Sequence, residues 1–149
     1  MLRDPGHLLA LGFGSGLAPK APGTFGTLIG VVLFIPLGTL TAVFYGTAVL
    51  ALYALGVVAC GRTADALGVH DHGAIVWDEV VGFLVAAALC GNTLELAVAF
   101  VLFRIFDIVK PWPIKYVDSQ VSGGTGIMLD DVIAGLFCLP LILLFQYFS

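Results

Sequence analysis

Five apolar stretches, at residues 24–37, 41–60, 75–90, 94–109 and 127–148, take up most of the chain and leave only short connections between them. Backbone N–H and C=O groups in surroundings without water must be paired within the protein, and a helix pairs them inside each segment. Spanning a bilayer takes about 20 helical residues, with about 17 near the lower limit. The second and fifth stretches meet that length, and the third and fourth reach it if their polar ends lie among lipid headgroups. The first, interrupted by Pro36 and Gly38, reads as a span, a half-helix or a re-entrant segment. Composition agrees: 60% of the 149 residues are hydrophobic and 11% charged, with a mean hydropathy of +1.08, whereas soluble domains carry about 25% charged residues. The expected fold is therefore all-α: a polytopic membrane helical bundle of about five apolar helical segments, in a single domain over residues 1–149.

Against that background the acids stand out. Of ten in the chain, five lie at the edges of apolar segments: Asp78 and Glu79, Asp107, and Asp130 and Asp131. Such surroundings hydrate a charge poorly, so a carboxylate kept there points to use. Lysines and arginines give the orientation. With five spans, Arg3 and Lys20 precede the first, Arg62 follows the second, and Lys110 and Lys115 follow the fourth. All fall on one side, which the positive-inside rule makes cytoplasmic. The five acids fall on that side too, with Asp78 and Glu79 expected in the first turn of the third segment and Asp130 and Asp131 in the first turn of the fifth. A short echo links these two places, Ile-Val-Trp-Asp-Glu-Val-Val-Gly at 75–82 and Ile-Met-Leu-Asp-Asp-Val-Ile-Ala-Gly at 127–135. Each has an acidic pair with a glycine a turn later, where a small residue permits close helix approach. A parallel repeat would set the pairs face to face, though eight residues do not establish one.

Several carboxylates in a low-dielectric site cannot all ionise without a cation. Magnesium, which prefers oxygen ligands and binds through a few carboxylates with water and phosphate, resolves the conflict. Acids at helix N-termini are also favoured by the helix dipole, an explanation open to Asp78 and Asp130 but not to Asp107 near a helix C-terminus. Arg104, Asp107 and Lys110 recur at three-residue spacing. Arg104 and Asp107 either neutralise one another, or the bases face a phosphate while Asp107 faces the metal. The glycine-rich segment 12–27 supplies flexible backbone, Lys20, and the hydroxyls of Ser15, Thr24 and Thr27; Thr24 is expected to cap the first apolar helix, whose positive end suits an anion. The second glycine run, 122–126, reads as a further anion loop or a tight turn. The segment 110–116, with two prolines, Trp112 and Tyr116, reads as a stiff interfacial piece.

Other features argue against alternatives. The cluster His70, Asp71, His72 reads as polar loop, and Cys60, Cys90 and Cys138 as buried apolar residues. No basic run suits nucleic acid. Leu8 to Leu11 is too short for the core of a signal peptide, so the membrane segments are expected to direct insertion. Phosphate loops built on cysteine and N-terminal phosphoaspartate motifs are missing from the sequence, which leaves metal-assisted attack by water.

The stretches at 12–27, 75–82, Phe-Arg-Ile-Phe-Asp-Ile-Val-Lys-Pro-Trp-Pro at 103–113, and 123–135 together resemble the phosphatidylglycerophosphatase A family. The resemblance implies an all-helical, magnesium-dependent phosphatase of the bacterial inner membrane. Its expected substrate is phosphatidylglycerophosphate, and its products phosphatidylglycerol and phosphate. On this reading Asp78, Glu79, Asp107, Asp130 and Asp131 hold one or two Mg2+ ions, while Lys20, Arg104 and Lys110, with Ser15, Thr24 and Thr27, hold phosphoryl oxygens. A cation transporter would want acids near the midplane, and a lipid-headgroup transferase would release no phosphate.

Overall fold

Among the described residues, 2–70 and 72–149 of a computed structural model, the chain is all-helical and contains no strand. The helices are α1 (Pro5–Ala10), α2 (Pro22–Leu37), α3 (Ala42–Leu67), α4 (Trp77–Ala86), α5 (Thr93–Val109), α6 (Ile114–Gln120) and α7 (Gly123–Phe148), with a 3-10 segment at Gly12–Leu17. Two of them, α3 and α7, are long and apolar enough to cross a membrane. Each has 26 residues, about 39 Å of helix against a hydrocarbon core of about 30 Å. By contrast α2 has 16 residues and α5 has 17, and α4 has only 10.

The centre of the molecule is α4. Eight of its ten residues are buried, and α2, α3, α5 and α7 all pack on it. Two hydrogen bonds fix its ends to α3: Trp77 Nε1 donates to the Leu52 carbonyl at 3.1 Å, and the Tyr45 hydroxyl donates to the Leu84 carbonyl at 2.5 Å. At about 15 Å, α4 reaches roughly half the depth of a bilayer core. The expected helix over 75–90 is therefore shorter than the apolar run, which ends in turns from Ala87 onward.

α4 and α7 meet through Gly82 and Gly135. A Cβ on Gly82 would lie 2.7 Å from the Asp131 carbonyl, and one on Gly135 would collide with the Gly82 carbonyl. Contacts advance together along both helices, so the two run in the same direction and the echoing segments do face one another. Whether or not they share an origin, the glycine in each admits the other backbone.

Three more boundaries differ from expectation. α7 begins at Gly123, four residues before the apolar run, so residues 123–126 form the first turn of a helix, with Ser122 at its cap position, rather than a loop. The reason is tertiary: at Gly124 any side chain would strike the Val57 carbonyl of α3. Asp130 and Asp131 accordingly lie about two turns inside α7, and its first turn holds no acid. α2 begins at Pro22, a residue preset for a first helical position, so Thr24 lies within the first turn and Ala21 takes the cap position. α3 continues past residue 60 to Leu67, carrying Arg62 within 3.8 Å of Asp4. The part of segment 110–116 from Ile114 onward belongs to α6, and Trp112 is exposed.

Large apolar residues on the outward faces of α2, α3, α5 and α7 remain exposed, among them Val32, Phe44, Leu50, Ile105 and Leu143. At the end of α5 remote from Asp107, buried Glu95 accepts hydrogen bonds from the Gly91 amide, Asn92 and Gln146 at 2.6, 2.8 and 2.9 Å. It thereby ties the start of α5 to the end of α7.

Candidate metal centre

Asp78 and Glu79 stand in the first turn of α4, Asp107 near the end of α5, and Asp130 and Asp131 inside α7. The packing of these three helices gathers all five into two overlapping triads. In one, carboxylate oxygens of Asp78, Asp130 and Asp131 lie within 4.8 Å of one another; in the other, those of Glu79, Asp107 and Asp131 do so. Asp131 belongs to both and is 1% exposed. Asp78, Asp107 and Asp130 are also buried.

Two cations face these five acids. Arg104 Nη1 donates to Asp107 Oδ2 across one turn of α5. Lys110, in the left-handed cap position of α5, donates to Asp130 at 2.8 Å and lies 3.5 Å from Asp118. Burial works against the lysine's charge, but the Asp130 hydrogen bond and the charges of Asp130, Asp118 and Asp131 outweigh it and hold its pKa above the ordinary value. Asp130 is further fixed by the Asp131 amide, which donates to it at 2.9 Å.

The remaining three acids form no such ion pair among the described residues. Asp78 Oδ1, Glu79 Oε2 and Asp131 Oδ2 are buried without a hydrogen-bond partner. Buried oxygens in this state are costly, and helix N-terminal charge accounts for neither Asp107 nor Asp131. An all-oxygen donor set of adjoining carboxylates suits a hard divalent cation such as magnesium, and the orphaned oxygens are the atoms available to it.

The expected phosphate ligands separate into groups. Arg104 lies beside the centre, and its Nε is a buried donor without a partner. Thr24 lines a groove with Arg104. Ser15 has a buried hydroxyl without a partner and packs near Gly12, on the segment beside Val76 at the start of α4. Thr27 is fully buried and donates its hydroxyl proton to the Gly23 carbonyl at 2.8 Å. Lys20 is exposed and forms no ion pair among the described residues. His72 accepts from the Ala74 amide at 3.1 Å and His70 lines a separate surface pocket; Asp71 lies outside the described residues.

Two participants escape a reading of residue types. A Cβ on Gly23 would lie 2.8 Å from Glu79 Oε1 and 3.0 Å from Arg104 Nη1, so glycine there lets α2 rest against the charged centre. Asp118 joins Lys110 from α6, where its distance along the chain from the other acids hides it.

An all-helical apolar chain built around a buried cluster of carboxylates is the class these features define. Its family follows from comparison with known proteins: the model of the family described as Phosphatidylglycerophosphatase A matches residues 8–146. The chain belongs to the phosphatidylglycerophosphatase A family, a family of phosphatases. It is 47% identical over 149 residues to the phosphatidylglycerophosphatase A of Haemophilus influenzae, covering 98% of this chain and 91% of the relative. The Escherichia coli phosphatidylglycerophosphatase A is 46% identical over 136 residues, with 90% and 79% covered. A putative phosphatidylinositol-3-phosphatase of Bacteroides thetaiotaomicron is 37% identical over 144 residues, with 91% and 89% covered. No solved structure matches the chain.

Proposed function

We propose that this protein is a magnesium-dependent lipid phosphatase, hydrolysing the terminal phosphomonoester of phosphatidylglycerophosphate to phosphatidylglycerol and phosphate. The observation that carries the reading is the pair of carboxylate triads sharing Asp131, with three partnerless oxygens, in a chain of this family. The work site is the cytoplasmic leaflet of the bacterial inner membrane. That location rests on the basic residues of the connections and on the apolar outward faces of α2, α3, α5 and α7. In this arrangement the five apolar segments lie in the bilayer, with α4 as an inner half-length element.

Asp78, Glu79, Asp107, Asp130 and Asp131 would hold one or two magnesium ions, which when bound supply compensating positive charge and make water more acidic. Arg104 orients Asp107 through Nη1 and retains Nε as a donor for a phosphoryl oxygen. Lys110 orients Asp130 in the same manner. A carboxylate with a partnerless oxygen takes the proton of the attacking water. Water then forms the new P–O bond, the bond to the glycerol oxygen breaks, and that oxygen leaves with the proton that the carboxylate took from water. Ser15 and Thr24 offer further hydroxyl donors, and Lys20 an exposed ammonium on the segment leading to α2. Thr27, whose proton is committed to Gly23, supports the first turn of α2.

Phosphate release from phosphatidylglycerophosphate in detergent, with magnesium and with chelator, tests the proposal. Magnesium-dependent release is expected. No release from folded protein under either condition overturns it in favour of a transferase or transporter. The Bacteroides relative's name supports one variant, a phosphoinositide as substrate; faster release from phosphatidylinositol 3-phosphate in the same assay would select it.

A further inference from the structure

Around α4, the seam between α2 and α5 is loosely closed: both pack on α4 but touch each other little. An apolar furrow follows that seam. One part, about 400 Å³, is lined by Thr24, Phe100, Val101, Arg104 and Ile105 among others. The next, about 330 Å³, is lined by Leu28, Leu96 and Ala97 and shares Phe100 and Val101 with the first, so the two adjoin. From Arg104 back to Thr93 the furrow runs about 16 Å along α5, comparable with an extended fatty-acyl chain.

The two ends differ in chemistry. Among the described residues Arg104 is the only charged one lining the furrow, and Thr24 stands beside it. Arg104 reaches from there to Asp107, keeps Nε buried without a partner, and lies against Gly23 and thus Glu79. Arg104 therefore links one end of the furrow to the carboxylate centre, and beyond Thr24 and Arg104 the lining is apolar except for Thr93 at the far end. That polarity fits an amphiphile with an anionic head and an alkyl tail, and a water-soluble phosphate ester would have no use for the tail section.

We propose that the α2–α5 furrow is the lateral entry and tail-binding path of a diacyl lipid substrate. One acyl chain lies along Leu28, Phe100 and Val101 while the phosphate head passes Thr24 to Arg104. This rests on the phosphatase reading above and adds how the substrate is held.

Phosphatidylglycerophosphate carrying a diazirine in one acyl chain, irradiated with the full-length protein in micelles, tests it by mapping the labelled residues. Adducts are expected to concentrate on Leu28, Phe100 and Val101. The exposed Phe44, Leu50 and Leu55 of α3 should be labelled about fivefold less, and unlabelled substrate should compete at the furrow alone. In parallel, Val101→Trp fills the furrow and should raise KM for the diacyl substrate about fivefold or more, whereas Leu55→Trp keeps the wild-type value. Even labelling with an unchanged KM in Val101→Trp, while the wild type releases phosphate, overturns the furrow and leaves the phosphatase reading standing. Labelling confined to the furrow without phosphate release upholds the furrow and sinks the reaction. Protection of the furrow while α3 is labelled puts a second copy of the chain on the seam and overturns the proposal.

Discussion

At the scale of single residues, Asp131 differs from its four acidic neighbours because both triads depend on it. Asp131→Asn keeps the size and removes one charge from a crowd of five carboxylates that faces two cations. Activity is expected to fall about 100-fold or more, since even outer partners of metal ligands cost 10–100-fold. The metal-free variant should melt no lower than the wild type, because like charges are relieved. A magnesium titration followed by phosphate release and thermal melting checks both halves, and an equal loss of stability would make Asp131 a structural residue. Gly23 invites the converse change. Gly23→Ala pushes a methyl towards Glu79 Oε1 and Arg104 Nη1, so it should lower kcat about tenfold or more by moving these groups apart. Kinetics in detergent, with melting as the control for folding, check it.

Between elements, the contact that builds the centre is the one between α4 and α7. Gly135→Ala forces a methyl onto the Gly82 carbonyl, and overpacking of this kind costs about 1–3 kcal/mol. Activity should drop further than stability, because spreading these two helices separates Asp78 from Asp130 and Asp131. Comparing denaturant unfolding with phosphate release tells the two effects apart. Glu95 offers the opposite pattern at the far end of the bundle. Its bonds to Gly91, Asn92 and Gln146 join α5 to α7 away from the carboxylates, so Glu95→Ala should lower the melting temperature while kcat stays at the wild-type value.

For the molecule as a whole, carboxylate oxygens that are buried without hydrogen-bond partners link metal binding to folding. Magnesium that binds only the native state stabilises it by about 2.7 kcal/mol at a hundredfold excess over Kd. The melting temperature should therefore rise with magnesium and fall back with chelator, and a flat response would remove the metal from the proposal. Much of this was legible in the chain. Long apolar runs impose helix because a backbone without water must pair with itself, and the cost of acids in such runs singled out Asp78, Glu79, Asp107, Asp130 and Asp131. Periodicity and composition are local properties, and a linear reading recovers them. It does not recover where helices stop. The run 75–90 holds only a ten-residue helix, while α7 starts among glycines that would break an isolated helix, one of which, Gly124, sits where α3 leaves no room for a side chain. The sequence by itself thus determined helical class, apolar character, the acids and the family. Tertiary packing decided that Asp131 serves two triads, that Arg104 heads a furrow, and that Gly82 and Gly135 bring the acidic pairs together. Those outcomes depend on distances between segments far apart in the chain, and backbone contact at a glycine is fixed only when both partners are in place.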